Sequence, residues 1–187
     1  MTDEALIASL VRKSQRAVRS ADRDLAAGDT DGAVNRGYYA MFNASRAAPL
    51  SSGVAERELP RTHRGIFEAF RKQALLTGRV DPEIAGALGR AEALRLKADY
   101  TATEIDAVAA RAIVDEARIF FRTIMQEFGL SAHLEHEPGK TFSLDEEQAK
   151  AAQKWRSKTL EAGSEPENKA QHRPEHDPSL GIDEDTE

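Results

Sequence analysis

The stretch AVNRGYYAMFNASRA, residues 33 to 47, has the residue spacing of an amphipathic helix with two unlike faces. Residues three and four positions apart lie on the same side of a helix. One face is mostly apolar and comprises Val34, Tyr38, Met41, Phe42 and Ser45. The second face is polar and comprises Arg36, Tyr39, Asn43 and Ala47. We predict that the apolar face lies in a core, and that the polar face is solvated, contacts a partner or forms part of a site.

Helical periodicity continues on both sides of this stretch, whereas the alternation typical of strands is nearly missing. Apolar repeats and the capping residues between them predict five helices, at about residues 3–26, 31–48, 61–76, 82–98 and 103–127. Residues 49–60 contain Pro and Gly and are predicted to form a loop. Short connections make successive helices antiparallel neighbours. The sequence thus predicts an all-α fold, a five-helix up-and-down bundle.

Aromatic and aliphatic side chains at helical spacing are assigned to the core of this bundle. The aromatic members are Tyr38, Phe42, Phe67, Phe70 and Phe120. In the fifth helix, the apolar face is predicted to comprise Val108, Ala112, Val114, Ala117, Phe120, Phe121 and Ile124. Side chains of this kind are usually buried for packing, so no functional role is assigned to them.

Charge divides the chain into two parts. Residues 1–130 contain 19 Lys and Arg against 18 Asp and Glu, whereas residues 131–187 contain 7 against 14. We predict a helical domain over 1–130 and an acidic tail over 131–187, which is mostly disordered because it has few apolar residues. A capping box at Ser143 predicts one tail helix over 143–162, with Trp155 as a candidate anchor for a partner. The nearly neutral domain lacks the cationic excess typical of duplex DNA binding.

Composition excludes several kinds of site. The chain has no cysteine, which excludes disulfides, thiolate metal sites and cysteine nucleophiles. Its start lacks the basic and apolar regions of a signal peptide, and no stretch is apolar for long enough to span a membrane. The expected location is therefore the cytoplasm. Neither a metal nor another cofactor is predicted, because the pairs His133/His136 and His172/His176 have metal-compatible spacing without supporting ligands.

Three segments together resemble the HEPN domain family. They are Arg36 to Ala47, beginning Arg-x-Tyr-Tyr-Ala-Met-Phe; Thr62 to Phe70, beginning Thr-His-x-Gly-Ile; and Arg95 to Tyr100, which is Arg-x-x-Ala-Asp-Tyr. Their order and spacing match over residues 3–128, and more narrowly they resemble an uncharacterised bacterial and archaeal subgroup. The resemblance implies a HEPN-like bundle, a homodimer, and a toxin–antitoxin-type or stress role, often beside a minimal nucleotidyltransferase.

Active members of this family are metal-independent ribonucleases with an Arg-x4–6-His motif on the helix that here contains Arg95. The histidine moves protons near neutral pH, and the arginine holds the phosphate. No histidine follows Arg95 at that spacing, where the chain has Asp99 and Tyr100. Asp99 is expected to pair with Arg95, which makes it a poor proton donor at neutral pH. In some relatives the partner adenylylates a Tyr just after the motif, and Tyr100 is the nearest match.

One histidine, His63, lies in the first 130 residues, near the start of the third predicted helix. It is expected either to form a structural hydrogen bond or to act beside Arg36 and Arg95. Arg57 and His63 have an Arg-x5-His spacing, but the intervening residues include Pro60 and lie in a different part of the fold. We attribute this second match to chance.

Three functions remain open at this stage. The first is a ribonuclease with the candidate catalytic residues Arg95, Asp99, Tyr100 and His63. The second is a non-catalytic module that binds RNA, a nucleotide or a nucleotidyltransferase through Arg36, Tyr39, Asn43 and Arg95. The third is an interaction scaffold that works through the acidic tail. The absence of the family histidine favours the second function over the first.

Overall fold

A computed structural model of the chain describes residues 3–100 and 104–135, apart from the side chain of Asp99. Two predictions concern residues outside these ranges: that the acidic tail is mostly disordered, and that it contains a helix over residues 143–162. The side chains of Trp155, His136, His172 and His176 also lie outside them.

Five α-helices account for most of the described chain. They are α1 (Asp3–Ala26), α2 (Thr30–Ser51), α3 (His63–Leu76), α4 (Pro82–Tyr100) and α5 (Ala107–Glu127). Two short 3₁₀ turns follow α2 and α5, at Glu56–Glu58 and Ser131–His133. The α2 helix packs against all four others, most extensively against α1. Residues 3–100 and 104–135 include no strand, and the predicted all-α five-helix bundle is confirmed.

The end of α2 differs from the prediction. The helix continues through Pro49 to Ser51, so the predicted loop begins too early. A proline inside a helix removes a hydrogen bond and crowds the preceding turn. Here Pro49 and Leu50 are both buried, and their packing holds the last turn in helical form.

The ends of α4 and α5 also differ from the prediction. The α4 helix continues to Tyr100, past the expected end at 98. The α5 helix begins at Ala107 instead of near 103, because Asp106 is its N-cap. The Asp106 carboxylate accepts hydrogen bonds from the backbone N–H groups of Val108 and Ala109, both at 3.0 Å. An acidic N-cap satisfies donors that the first turn cannot pair.

Several side chains were assigned to the wrong face. Val108 is 80 % exposed and Ala112 is also exposed; the buried face of α5 starts instead at Ala110. Phe42 and Phe67 are only half-buried. Ala47 was assigned to the polar face of α2 and is fully buried. Which side of a helix is buried depends on where its neighbours lie. Apolar periodicity alone does not fix the rotation of the helix about its axis, so residues at the edge of the apolar face can be assigned to the wrong side.

Small residues let α2 pass close to its neighbours. A Cβ at Gly37 would lie 3.4 Å from Cγ2 of Ile113, so the α2 backbone lies directly against α5. On the other side, the buried Ser14 hydroxyl of α1 donates to the carbonyl of Ala40 at 2.7 Å. The sides of α2 with small residues are thus covered by α1 and α5. Arg36 and Tyr39 lie on the remaining side and are exposed.

Ion pairs fix the outer helices. Arg90 of α4 donates from Nε to both carboxylate oxygens of Glu116 in α5, at 3.1 and 3.2 Å, and binds Glu83 at 2.9 Å. Arg118 of α5 contacts Asp22 of α1 at 2.7 Å. These contacts link α4 to α5 and α5 to α1.

The chain folds back on α1 after α5. Gln15 and Glu135 exchange two hydrogen bonds, at 2.8 and 3.2 Å, and Arg16 pairs with the Glu135 carboxylate. Residues 131–135 therefore pack on the bundle, although the domain limit at residue 130 itself stays a prediction. None of the helices α1 to α5 is both long and apolar enough to span a bilayer.

Candidate functional site

Tyr38 lies where three helices meet. The side chain projects from α2 and is 1 % exposed. Its hydroxyl forms a 2.6 Å hydrogen bond with Nδ1 of His63, the first residue of α3. The guanidinium carbon of Arg95, on α4, lies 5.0 Å from the centre of the Tyr38 ring, which is cation–π distance. Tyr38 thus links two of the sequence-predicted site residues, His63 and Arg95, although it was itself assigned only to the core.

The surroundings keep the Tyr38 hydroxyl protonated. Burial raises the pKa of Tyr38 to about 12, and the negative charge of Glu92 adds to this effect, whereas the positive charge of Arg95 opposes it. A phenol that stays protonated has one hydrogen to donate. If the hydrogen points to His63, Nε2 of the neutral imidazole carries the ring hydrogen. If it points towards Glu92, the ring hydrogen sits on Nδ1 and is donated to the Tyr38 oxygen.

Arg36 and Arg95 line the same pocket, which we call the Arg36–Arg95 pocket. Its volume is about 440 Å³. It is lined by Ser20, Asp24, Asp29, Asp31, Gly32, Asn35, Arg36, Arg95 and Ala98. The α2 and α4 helices therefore bring together the two arginines that lie far apart in sequence.

Carboxylates of the Arg36–Arg95 pocket have structural partners. Asp29 is the N-cap of α2 and accepts a hydrogen bond from the backbone N–H of Gly32 at 2.8 Å. Asp31 accepts a hydrogen bond from the backbone N–H of Ile105 at 3.0 Å. Across the described part of the chain, no group of three or more acidic or histidine side chains has the arrangement of a metal site.

The remaining predicted site residues have different surroundings. Tyr39 is 36 % exposed, and its ring meets the Tyr38 ring edge-on with 5.3 Å between centres. Asn43 donates its side-chain N–H to the Tyr39 carbonyl within α2, at 2.8 Å. Tyr100 is 84 % exposed at the end of α4. The Asp99 side chain lies outside the described residues, so its pairing with Arg95 stays a prediction.

A second pocket includes His63 in its lining, and we call it the basic pocket. Its volume is about 550 Å³. It is lined by Phe42, Arg46, Glu56, Arg57, Leu59, Pro60, Arg61, His63 and Ile66. The rings of Phe42 and His63 stack with 4.3 Å between centres and 22° between planes. Arg57 and His63, whose spacing was attributed to chance, thus line one cavity.

Sequence reasoning missed Tyr38, Glu92 and the arginines of the basic pocket. One signal was present: Arg46 follows Asn43 by three residues, so it continues the polar stripe of α2 where Ala47 was chosen. Arg57 and Arg61 flank a proline in a segment without periodicity, where no pattern indicates what a side chain faces. Glu92 is one turn before Arg95, but its approach to Tyr38 depends on how α4 packs on α2.

Comparison with known proteins places the fold in one family. The model of the HEPN domain matches residues 7–128, about two thirds of the chain. Two Methanocaldococcus jannaschii proteins are similar. "Putative toxin MJ0142" is 29% identical over 112 residues, which cover 59% of this chain and 74% of that protein. "Putative toxin MJ0605" is 30% identical over 88 residues, which cover 47% and 63%.

A third relative is also similar. "UPF0332 protein glr0978" of Gloeobacter violaceus is 36% identical over 70 residues, which cover 37% of this chain and 52% of that protein. The match thus spans less than two thirds of two of the three relatives. The family match itself covers four of the five helices in full and most of α1. The chain therefore belongs to the HEPN domain family.

Proposed function

We propose that this chain is a toxin-like HEPN module that binds RNA or a nucleotide at the Arg36–Arg95 pocket. The observation that carries the proposal is the shared pocket: two arginines from α2 and α4 face one cavity of about 440 Å³. The names of the two Methanocaldococcus jannaschii relatives support the toxin-like role. Family membership supports it as well.

The chemistry of the pocket suits a single phosphate. A guanidinium group presents paired N–H donors that match two phosphate oxygens. The carboxylates of Asp24, Asp29 and Asp31 line the same pocket and repel every phosphate that enters, so the two guanidinium groups hold at most one. The exposed ring of Tyr39 lies next to Tyr38 and offers a surface on which an unpaired base can stack.

Binding is tested with Arg36→Ala and Arg95→Ala. The probe is a fluorescently labelled single-stranded RNA of ten nucleotides, followed by anisotropy. Each variant is expected to weaken binding by about tenfold or more, which corresponds to about 1.4 kcal/mol. Arg111→Ala is the matched control, because Arg111 is an exposed arginine on α5 away from both pockets. Unchanged affinity in both pocket variants would remove the proposal.

A metal-independent ribonuclease is the second candidate. The hydrogen bond between Tyr38 and His63 favours it, because Arg95 lies over the Tyr38 ring and a proton-transfer group is therefore connected to a phosphate-binding group. In EDTA, the wild type is then expected to cleave single-stranded RNA, and both His63→Ala and Arg95→Ala to lose cleavage. His63→Ala should still bind RNA. If the wild type binds RNA without cleaving it at any pH, the binding module alone stands.

Partners follow from the family resemblance. We propose that the chain forms a homodimer and acts with a minimal nucleotidyltransferase. Tyr100, which is 84 % exposed, is open to adenylyl transfer by such a partner. Light scattering tests the dimer. Incubation with a minimal nucleotidyltransferase and ATP should add adenylyl mass to the wild type and none to Tyr100→Phe, and equal labelling of both would exclude Tyr100.

A further inference from the structure

The basic pocket concentrates positive charge. Its lining includes three arginines and His63, against one carboxylate, from Glu56. Within residues 3–100 and 104–135, none of the three arginines, Arg46, Arg57 and Arg61, forms an ion pair. Elsewhere the arginines Arg16, Arg90 and Arg118 are paired with carboxylates. Cationic side chains around a cavity without matching carboxylates raise the local concentration of anions.

One wall of the basic pocket is aromatic. The stacked rings of Phe42 and His63 form this wall, and Phe42 is only half-buried. Guanidinium groups beside an aromatic surface are typical of sites for single-stranded nucleic acid. The positive charges bind the phosphate backbone, and the ring stacks on a base. Duplex RNA hides its bases in the stack and does not use such a wall.

A polar stripe of α2 connects the two pockets. Arg36, Tyr39, Asn43 and Arg46 follow one another at intervals of three, four and three residues, so they lie along one side of the helix. Arg36 lines the Arg36–Arg95 pocket and Arg46 lines the basic pocket. Ten residues of α-helix span about 15 Å. Tyr39 lies between the two ends and is exposed.

We propose that the basic pocket is a second phosphate-binding site, occupied by the continuation of an RNA single strand held at the Arg36–Arg95 pocket. The strand follows the α2 stripe past Tyr39, and its later phosphates reach Arg46, Arg57 and Arg61. This inference rests on the proposed RNA binding and adds to it a direction, a footprint of several nucleotides and a second set of phosphate contacts.

The test compares the double variant Arg57→Ala/Arg61→Ala with wild type. Labelled single-stranded RNAs of two and ten nucleotides are titrated over a range of salt concentrations. For the ten-mer, the variant should lose at least tenfold in affinity. Its plot of log affinity against log salt should be shallower by about 1.4, since each lost phosphate contact on a single strand accounts for about 0.7. For the two-nucleotide RNA the affinity should not change.

Two controls separate charge from folding. Arg23→Ala/Arg111→Ala removes two exposed arginines outside both pockets and should leave the ten-mer affinity and salt slope unchanged. Arg57→Lys/Arg61→Lys keeps the charge and should retain most of the salt slope. Thermal unfolding by circular dichroism checks that each variant is folded.

The outcomes distinguish this inference from the proposed function. If the ten-mer binds the wild type and the Arg57/Arg61 alanine variant equally, the second site is wrong while the Arg36–Arg95 proposal stands. If that variant loses binding but Arg36→Ala and Arg95→Ala do not, the second site stands and the proposed function fails. No RNA binding by the wild type overturns the second site and leaves only a nucleotide as the ligand of the Arg36–Arg95 pocket. Displacement of the ten-mer by a decaglutamate peptide at an equal concentration of negative charges would overturn the RNA assignment, because the basic pocket would then bind polyanions in general.

Discussion

Tyr38 uses both parts of its side chain. The ring fills the space between α2, α3 and α4, and the hydroxyl forms the bond to His63. A buried phenol needs a hydrogen-bond partner, because an unsatisfied hydroxyl costs free energy on folding. His63 supplies that partner while its own side chain stays exposed. A single residue therefore joins the packing of the core to the chemistry of the surface.

Tyr38→Phe is expected to lower the free energy of unfolding by about 1 kcal/mol at neutral pH, the usual net value of one hydrogen bond. The pH dependence is more specific. The pKa of Tyr38 is raised to about 12 in the fold, so above the unfolded value the unfolded chain releases the proton first. Stability is therefore lost as pH rises from about 10 towards 12, by about 1 kcal/mol at pH 11.

Urea unfolding at pH 9 and pH 11 measures this effect. Wild type should lose more stability between the two values than Tyr38→Phe, which has no titrating group at that position. Tyr100→Phe is the control, because Tyr100 is 84 % exposed. An equal pH dependence in wild type and Tyr38→Phe would contradict the burial of the hydroxyl.

At the scale of single elements, the start of α5 depends on one carboxylate. Asp106→Ala removes the acceptor for the N–H groups of Val108 and Ala109 and should cost about 1 kcal/mol. For a chain of this length, that lowers Tm by about 2–4 °C. Asp106→Ser keeps a capping oxygen and should retain most of the stability. Calorimetry of the two variants decides the point, and equal melting of wild type and the alanine variant would show that the cap is not needed.

Arg90 and Glu116 form an ion pair between α4 and α5. Burial raises the pKa of Glu116, and Arg90 opposes this by hydrogen bond and charge. In Arg90→Ala the hydrogen bond and the positive charge are lost, so the variant folds with the Glu116 carboxylate lacking its partner Arg90. We expect a loss of about 1–3 kcal/mol at pH 7.

The sign of the pH dependence follows from the raised pKa. A carboxyl that binds its proton more tightly in the fold loses stability as pH rises through the window between its unfolded and folded pKa. Removing Arg90 raises the pKa of Glu116 in the folded state further, so the pH range over which stability is lost extends to higher pH. The cost of Arg90→Ala should thus be smaller at pH 4 than at pH 7, and Arg90→Ala/Glu116→Gln should lack the difference. Urea unfolding at pH 4 and pH 7 measures the loss of stability in both variants. If the loss in Arg90→Ala does not depend on pH, Glu116 is not its source.

For the whole molecule, the segment after α5 closes the bundle on α1. Leu130 is 1 % exposed, so Leu130→Ala should cost about 2–4 kcal/mol through lost burial and a cavity. Glu135→Ala removes an ion pair with the exposed Arg16 side chain and should cost less than Leu130→Ala, because solvent screens the attraction. Denaturant unfolding ranks the two, and the reverse order would mean that charge, and not packing, holds this segment.

Local rules account for most of what could be predicted about the fold. Periodicity and capping depend on neighbours within about four residues, so the five helices and their order were visible in the sequence. The errors lie where packing overrides a local signal: buried Pro49 extends α2, and Asp106 replaces Thr103 as the start of α5.

By itself the sequence determined the helical bundle, the family, and the pairing of Arg36 with Arg95 as a hypothesis. Only the tertiary structure decided that these arginines line one pocket, that His63 reaches the Tyr38 hydroxyl, and that a second pocket gathers Arg46, Arg57 and Arg61. The physical reason is that residues on different helices meet through crossing angles and helix rotations, which are set by core packing summed over all five helices. No stretch of sequence a few turns long contains that information.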